Sequence, residues 1–428
     1  MKRVFVVLLA VIALVLTGWF GLRAFGGGGQ PLASVAIPFA AAESLPDTPD
    51  KWHGRIDYRT LDAQLAALAQ RPEMAGLAVA VIEDGKLTFV RTYGVADAAT
   101  GAPVTPHTLF RWASVSKTAT GAIAAALAKD GALDLDRSVA AWHTTLRLPG
   151  GAETRISTAD ILSQRSGLTK NAYDEKLEGG QSPQLLRASL TAAPLQCEPG
   201  TCHTYQNIAF DTASEIVAKA AGKPFSDEVE DRLFLPLGMV SAGYGMEHLT
   251  DAKDWARPHR NGQVRPLKEA YWRVPAAAGV ESDIVDFATW MRAMMGLRPD
   301  VLPKPVLEIA HRPRVHTERL YGSGLRQAIS DASYGLGWRN FSYDGHRLAG
   351  HSGAVSGYRA TMIFEPATQT GVVALWNSDW GFPFRIPFAA IDSYHGRAEG
   401  KWLDLSELPP ATGGGAAAAG PVAPSLKK

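Results

Sequence analysis

An α+β fold is what this sequence predicts, and three observations carry the prediction. Apolar stretches of strand length, Leu77–Glu83 and Leu87–Tyr93, lie near the start of the folded part. Two more, Tyr358–Phe364 and Gly371–Trp376, lie near its end. Between residues 132 and 300 the apolar spacing is mostly helical instead. Strands at both ends with helices between them are expected to join in one antiparallel sheet. A mostly helical subdomain then lies on its flank, and the groove between the two is the natural place for a ligand.

Each element has its own signal. Leu61, Leu65 and Leu68 make an apolar stripe at helical spacing, which predicts a helix over Thr60–Gln70. Asp84-Gly85 tolerates positive φ and predicts a hairpin turn between the first two strands. An Ala-rich helix is expected from Ser114 to Lys129, ending at Gly131. Further helices are read at Ala159–Gln164, Ile208–Ala221, Asp227–Phe234 and Ile284–Met295. Glu365-Pro366 and a polar turn separate the last two strands, and a final helix follows over Phe384–Tyr394. The stretches 170–185 and 310–330 read as groove-shaping loops.

The chain has 428 residues, enough for one large domain or two intimately packed ones. A formal net charge of +1 gives no reason to expect a nucleic acid partner. Lys2 and Arg3 precede an apolar run from Val4 to Leu22, closed by Arg23. That run is long enough to span a bilayer, so residues 1–23 are expected to be an anchor or signal segment. Basic residues ahead of it predict a cytoplasmic N-terminus and an exported, periplasmic body tethered to the inner membrane. Residues 24–55, rich in Gly, Ala and Pro, read as a flexible tether. The folded body is placed at 56–400, with a low-complexity tail over 401–428.

The two cysteines, Cys197 and Cys202, flank Glu-Pro-Gly-Thr. In an exported protein this spacing predicts a disulfide across a Pro-Gly turn. His203 follows directly and makes zinc the competing reading, but no second ligand pair is near. No metal and no organic cofactor is expected.

Chemistry enters at Ser114-Val115-Ser116-Lys117. A serine hydroxyl is a weak nucleophile near neutral pH and needs a base. Three residues apart on a helix puts Lys117 on the same face as Ser114, within reach of its hydroxyl. The start of a helix also favours developing negative charge. Taken alone, the motif is better read as an N-cap serine followed by a solvated helix lysine. Tyr205-Gln206-Asn207 and His351-Ser352-Gly353, followed by Ala354, supply the further elements.

With those three motifs in that order, the chain resembles the serine β-lactamase and DD-peptidase family, specifically its class C branch with related esterases and D-aminopeptidases. Gly131–Asp136, Leu162–Leu168, Pro199-Gly200 and Gly350–Tyr358 extend the resemblance over residues 56–397. It implies a β-lactamase/transpeptidase-like fold and hydrolysis of an amide or ester through an acyl-enzyme. D-amino-acid peptides, esters and β-lactams are the implied substrates, with peptidoglycan stem peptides among them. Ser114 would be the nucleophile, with Lys117 and Tyr205 as a coupled proton-transfer pair. Asn207 would hold the substrate amide and position Lys117. The oxyanion would sit between the backbone N–H groups of Ser114 and Ala354. His351 and Ser352 would face the substrate or its carboxylate.

Two departures from the family pattern bear on substrate. Histidine at 351 replaces the lysine usual in class C β-lactamases and would give a weaker, pH-dependent cation. Phe382-Pro383-Phe384-Arg385 stands where an N-P-x-R pattern is usual, so Phe382 replaces a carboxylate-binding asparagine. Both weaken the case for an efficient β-lactamase and leave a peptidase or esterase open. Gly350–Ala354 also approximates a G-x-S-x-G nucleophile elbow, which would require a strand, a sharp turn and a helix around Ser352. The non-enzymatic alternative is a penicillin- or peptidoglycan-binding sensor that acylates without turning over.

Overall fold

The computed structural model describes residues 54–318, 323–397 and 401–408. The apolar run 4–22, nearly all of the tether and the tail beyond 408 lie outside the described residues. Among those described, no helix is long and apolar enough to cross a membrane.

The two ends of the body do meet in one sheet. Gly76–Glu83 (β1) pairs antiparallel with Thr370–Trp376 (β9), placing Leu77 opposite Trp376 and Ile82 opposite Gly371. Lys86–Asp97 (β2) and Ala102–Pro103 (β3) extend the sheet on one side of β1. On the other side of β9 lie Tyr358–Glu365 (β8), His346–Val355 (β7), Arg339–Tyr343 (β6), Ile329–Tyr334 (β5) and Val315–His316 (β4). The order is β3-β2-β1-β9-β8-β7-β6-β5-β4.

Every residue of β1 is buried, because the sheet is covered on both faces. Alternate side chains feed different cores, as the period of two requires. Leu77, Val79 and Val81 pack with Leu61 and Leu65 of Tyr58–Ala69 (α1) and with Ile386 and Ala390 of Ile386–Tyr394 (α5). Ala78, Ala80 and Ile82 enter the larger core, which includes Ala119, Ala122 and Ile123 of Ser116–Lys129 (α2). Asp57 caps α1 by accepting from the Thr60 backbone N–H.

Helix α2 is buried along its whole length except its last two residues, which accounts for its Ala-rich composition. Its backbone is approached closely on one side. A Cβ added at Gly121 would lie 1.7 Å from the Leu336 carbonyl oxygen, and one added at Gly337 would lie 2.1 Å from the Lys117 carbonyl oxygen. Glycine at both positions lets helix and turn meet backbone to backbone. Thr212–Ala221 (α3) and Ile284–Arg292 (α4) complete the main helical frame.

Three expectations are corrected. Neither groove-shaping stretch is a plain loop: 170–185 holds the short helix Asp174–Glu178 and the start of Pro183–Ser189, and 310–330 holds the end of the helix Lys304–His311, strand β4, the helix Ser323–Ala328 and the start of β5. The triplet His351-Ser352-Gly353 lies inside β7 rather than ahead of a strand, with the turn at Ser356-Gly357 after it. A nucleophile elbow at Ser352 is thereby ruled out, because no helix follows the serine. Finally, residues 401–408 belong with the body and not with the tail. Leu403 is buried beside α1 and α5, and Trp402 Nε1 donates to Asp392 Oδ2 at 2.8 Å.

Candidate active site

Ser114 is presented by a tightly held turn. Phe110–Arg111 pairs with Val280–Ser282, and the Trp112 backbone N–H donates to the Val280 carbonyl at 2.9 Å. The Trp112 indole N–H donates to Ser282 Oγ at 2.8 Å, and the Val280 N–H donates to Ser116 Oγ at 3.0 Å. Ala113 adopts φ 48, a left-handed conformation costing on the order of 1–2 kcal/mol for a residue with a Cβ. Ser114 therefore sits in a 3₁₀ turn, Ala113–Val115, and the α-helix begins two residues later than expected, at Ser116. Strand β7 closes the other side. A Cβ on Gly353 would lie 2.1 Å from the Trp112 carbonyl oxygen and 3.0 Å from the Ser114 nitrogen. Glycine at 353 thus lets strand backbone lie against the serine.

Lys117 is fully buried and reaches back along the helix. Its Nζ donates to Ser114 Oγ at 3.3 Å, to Asn207 Oδ1 at 2.8 Å and to the Ala277 carbonyl at 2.9 Å. It lies 4.9 Å from the centroid of the Tyr205 ring. Burial pushes the ammonium below the ordinary lysine range, while the Tyr205 hydroxyl and the Asp174 carboxylate oppose that shift. An amine so placed gives up its proton more readily than a solvated lysine.

The loop bearing Tyr205 and Asn207 is fastened by reciprocal amide contacts. The Gln206 N–H donates to Gln164 Oε1 at 2.7 Å, and Gln164 Nε2 donates to the Gln206 carbonyl at 3.0 Å. Cys197 and Cys202 are bridged, as expected, so zinc ligation by that pair is excluded. Their loop leads directly into the Thr204 N–H, which donates to the Gln164 carbonyl at 2.7 Å. Asn207 Nδ2 donates to Asp174 Oδ2 at 2.7 Å, and Tyr271 donates to the same oxygen at 3.4 Å. The carboxylate fixes which end of the Asn207 amide faces Lys117.

Asp174 was not singled out in the sequence. Burial raises its pKa to about 6, against the Asn207 N–H and the Lys117 ammonium. Removing this negative charge disfavours the ammonium and lowers the Lys117 pKa further. Asp174→Asn is therefore expected to move the acid limb of the kcat/KM profile to lower pH, with kcat falling about tenfold. A pH–rate series on both proteins checks this; a limb that stays put would leave Asp174 only a structural part.

His351 departs from expectation. It is 2% exposed, its Nδ1 lies 2.7 Å from the Ser352 carbonyl and its Nε2 lies 2.8 Å from the Tyr334 hydroxyl. A carbonyl can only accept, so Nδ1 carries the proton and Nε2 accepts from Tyr334. Burial, with Arg339 and Lys117 nearby, holds the ring well below the ordinary histidine range. His351 is consequently a neutral imidazole, not the pH-dependent cation expected from sequence. The positive charge here belongs to Arg339 on β6. Its guanidinium carbon lies 5.6 Å from the Tyr205 ring centroid and 5.2 Å from that of Tyr334. Among the described residues no carboxylate forms an ion pair with it.

The remaining residues are placed less directly. The Ser352 hydroxyl shares a hydrogen bond with Thr361 Oγ1 at 3.2 Å, and Ala354 follows Gly353 on β7 opposite Arg359. Phe382 is buried and stacked on Trp380, with ring centroids 5.2 Å apart. The fold thus brings Ser114, Lys117, Tyr205 and Asn207 together, with His351 and Gly353 bordering them. Reasoning on the sequence missed Asp174, Ala277 and Arg339. A backbone carbonyl such as Ala277 carries no residue signature, and the other two stand in no motif.

The Beta-lactamase family model matches residues 61–393, and the chain belongs to that family. It is 26% identical over 361 residues to an unguisins hydrolase of Aspergillus campestris, covering 79% of this chain and 61% of that protein. It is 28% identical over 343 residues to a D-aminopeptidase of Brucella anthropi, covering 76% of this chain and 61% of that protein. The chain thus spans about three fifths of the length of these relatives. Among solved structures, the octameric penicillin-binding protein homologue from Pyrococcus abyssi superposes with a TM-score of 0.70 at 22% identity, covering 80% of this chain and 78% of that one. A class C β-lactamase gives 0.63 at 22% identity, covering 80% and 96%. Both share the fold, an α+β body with a large antiparallel sheet flanked by helices.

Proposed function

We propose that this chain is an exported serine hydrolase that cleaves amides or esters through an acyl-enzyme on Ser114. The observation that carries the reading is Lys117 Nζ, fully buried and 3.3 Å from Ser114 Oγ, with its ammonium disfavoured by that burial. As Oγ attacks the substrate carbonyl carbon, the neutral amine of Lys117 takes the hydroxyl proton. The oxyanion forms against the backbone N–H groups of Ser114 and Ala354. The tetrahedral intermediate collapses, the bond to the leaving group breaks, and that group leaves with a proton relayed through the Lys117–Tyr205 pair. Water then attacks the ester, gives a proton to the same pair and releases the acid, which restores the Ser114 hydroxyl. Export, with a tether in the inner membrane, is supported by Lys2 and Arg3 ahead of the apolar run 4–22.

For substrate we favour D-amino-acid peptides and esters over β-lactams, because Phe382 and a neutral His351 leave out two polar groups usual for the latter. Arg339 is the cation available for a substrate carboxylate, and its planar guanidinium suits bidentate binding of one. Arg339→Gln is expected to raise KM about tenfold for a carboxylate-bearing substrate while leaving a neutral ester unaffected. In the wild type that KM should show no step near pH 6.5, where an ordinary histidine titrates, since burial holds His351 well below that range. Steady-state kinetics with D-alanyl-p-nitroanilide, a p-nitrophenyl ester and a carboxylate-bearing depsipeptide, beside Ser114→Ala, test the proposal. Turnover that survives in Ser114→Ala would sink it, and a stoichiometric burst without turnover would favour a sensor.

A further inference from the structure

Strand β7, which carries His351, starts at His346, and at that end a second set of side chains converges. His346 Nδ1 lies 2.9 Å from Glu365 Oε1, and His395 Nε2 lies 2.8 Å from Glu365 Oε2. The two imidazoles are 3.7 Å apart at their centroids and inclined by 30°. One ligating atom from each of the three residues falls within 4.8 Å of the others. Glu365 is 5% exposed, whereas the side chains of His346 and His395 keep 31% and 15% of their surface open. Five residues of extended strand separate His346 from His351, about 16 Å, so this cluster is no part of the serine site.

We propose that His346, Glu365 and His395 form a binding site for a divalent transition-metal ion, with Zn²⁺ as the best fit. Two imidazole nitrogens and a carboxylate suit zinc and its neighbours, whereas Mg²⁺ and Ca²⁺ call for oxygen donors throughout. Around a tetrahedral ion with bonds of about 2.0–2.2 Å, neighbouring ligand atoms are about 3.3–3.5 Å apart. The histidines meet different oxygens of Glu365, and the three ligand atoms, now within 4.8 Å of one another, must settle to about that spacing by shifts of about 1 Å or less to hold the ion. His346 begins a strand and His395 caps the C-terminus of α5, so both can make that small adjustment. Glu365 closes β8 and is held from behind by Thr368, whose hydroxyl donates to Oε2 at 3.0 Å. Such support is what a metal-ligating carboxylate needs, and the exposed imidazole edges leave the remaining coordination positions to water. The ion would join β7, β8 and α5 and so stabilise the final helix against the sheet.

The test is titration of the full chain, purified in mild detergent and stripped with EDTA, with Zn²⁺ alone by calorimetry. Cobalt(II) absorption serves as a second readout. One equivalent of Zn²⁺ should bind to the wild type and raise its Tm. His346→Ala and His395→Ala should each weaken that binding at least about tenfold and remove the visible Co²⁺ bands. Ester hydrolysis should be unchanged in both variants, which keeps this result separate from the role of Ser114. Absence of stoichiometric Zn²⁺ binding by the wild type, or equal affinity in the two alanine variants, overturns the site and leaves a hydrogen-bonded clip. Because both substituted histidines are partly exposed, Tm and circular dichroism of the metal-free variants verify folding.

Discussion

Lys117→Met should lower kcat/KM by about a thousandfold for ester and amide substrates alike, because it removes the base while keeping most of the side-chain volume. The loss should fall on acylation, seen as the disappearance of any pre-steady-state burst. Stability should change much less than activity. The variant leaves Asn207 Oδ1 and the Ala277 carbonyl without their donor, which costs about 1–3 kcal/mol for each buried group. Against that, a buried ammonium whose desolvation is unfavourable is removed. Circular dichroism and a thermal melt beside the kinetics distinguish a lost base from a lost fold. Rates within tenfold of wild type would mean that another group deprotonates Ser114.

Gly121→Ala should destabilise the body strongly. In an ordinary helix the change stabilises by about 1 kcal/mol, so the expected sign is reversed here. The new Cβ would meet the Leu336 carbonyl oxygen at 1.7 Å, and neither group is a flexible side-chain end. Helix α2 or the turn at 336–337 must move, at a cost of about 3 kcal/mol, or about 6 °C in Tm for a body of this size. The displacement also reaches the site, since Gly337 packs against the Lys117 carbonyl on the same helix. Calorimetry of the purified variant measures the effect. A Tm at or above wild type would show that the helix and turn separate without penalty.

The parts of this protein that could be read from sequence are those whose logic is local. Ser114 and Lys117 announce themselves through helical spacing, and the structure keeps that relation although Ser114 sits in the 3₁₀ turn before the helix. β1 and β9 were legible as apolar strands, and their pairing followed from layer packing. By contrast β5, with the sequence Ile-Ser-Asp-Ala-Ser-Tyr, is too polar to stand out, and its partner β6 was lost with it. That omission hid Tyr334 and Arg339, and with them the surroundings of His351. A histidine motif gives the residue type but not its charge, which here depends on a carbonyl, a tyrosine and an arginine gathered from three strands. Asp174 was hidden for a similar reason: it heads a short, charged helix that looks solvated until Asn207 is folded onto it.

The most direct measurement is the identity of the acylated residue. The protein is incubated with a fluorescent penicillin or an activated D-alanyl ester, quenched in acid, digested with trypsin and mapped by tandem mass spectrometry. Cleavage after Arg111 and Lys117 yields the peptide Trp112–Lys117, whose fragments separate Ser114 from Ser116. One acyl mass on Ser114 is the expected result, with none anywhere on that peptide in Ser114→Ala. An adduct on Ser116, on Ser352 or outside this peptide, or one that persists undiminished in Ser114→Ala, would contradict it.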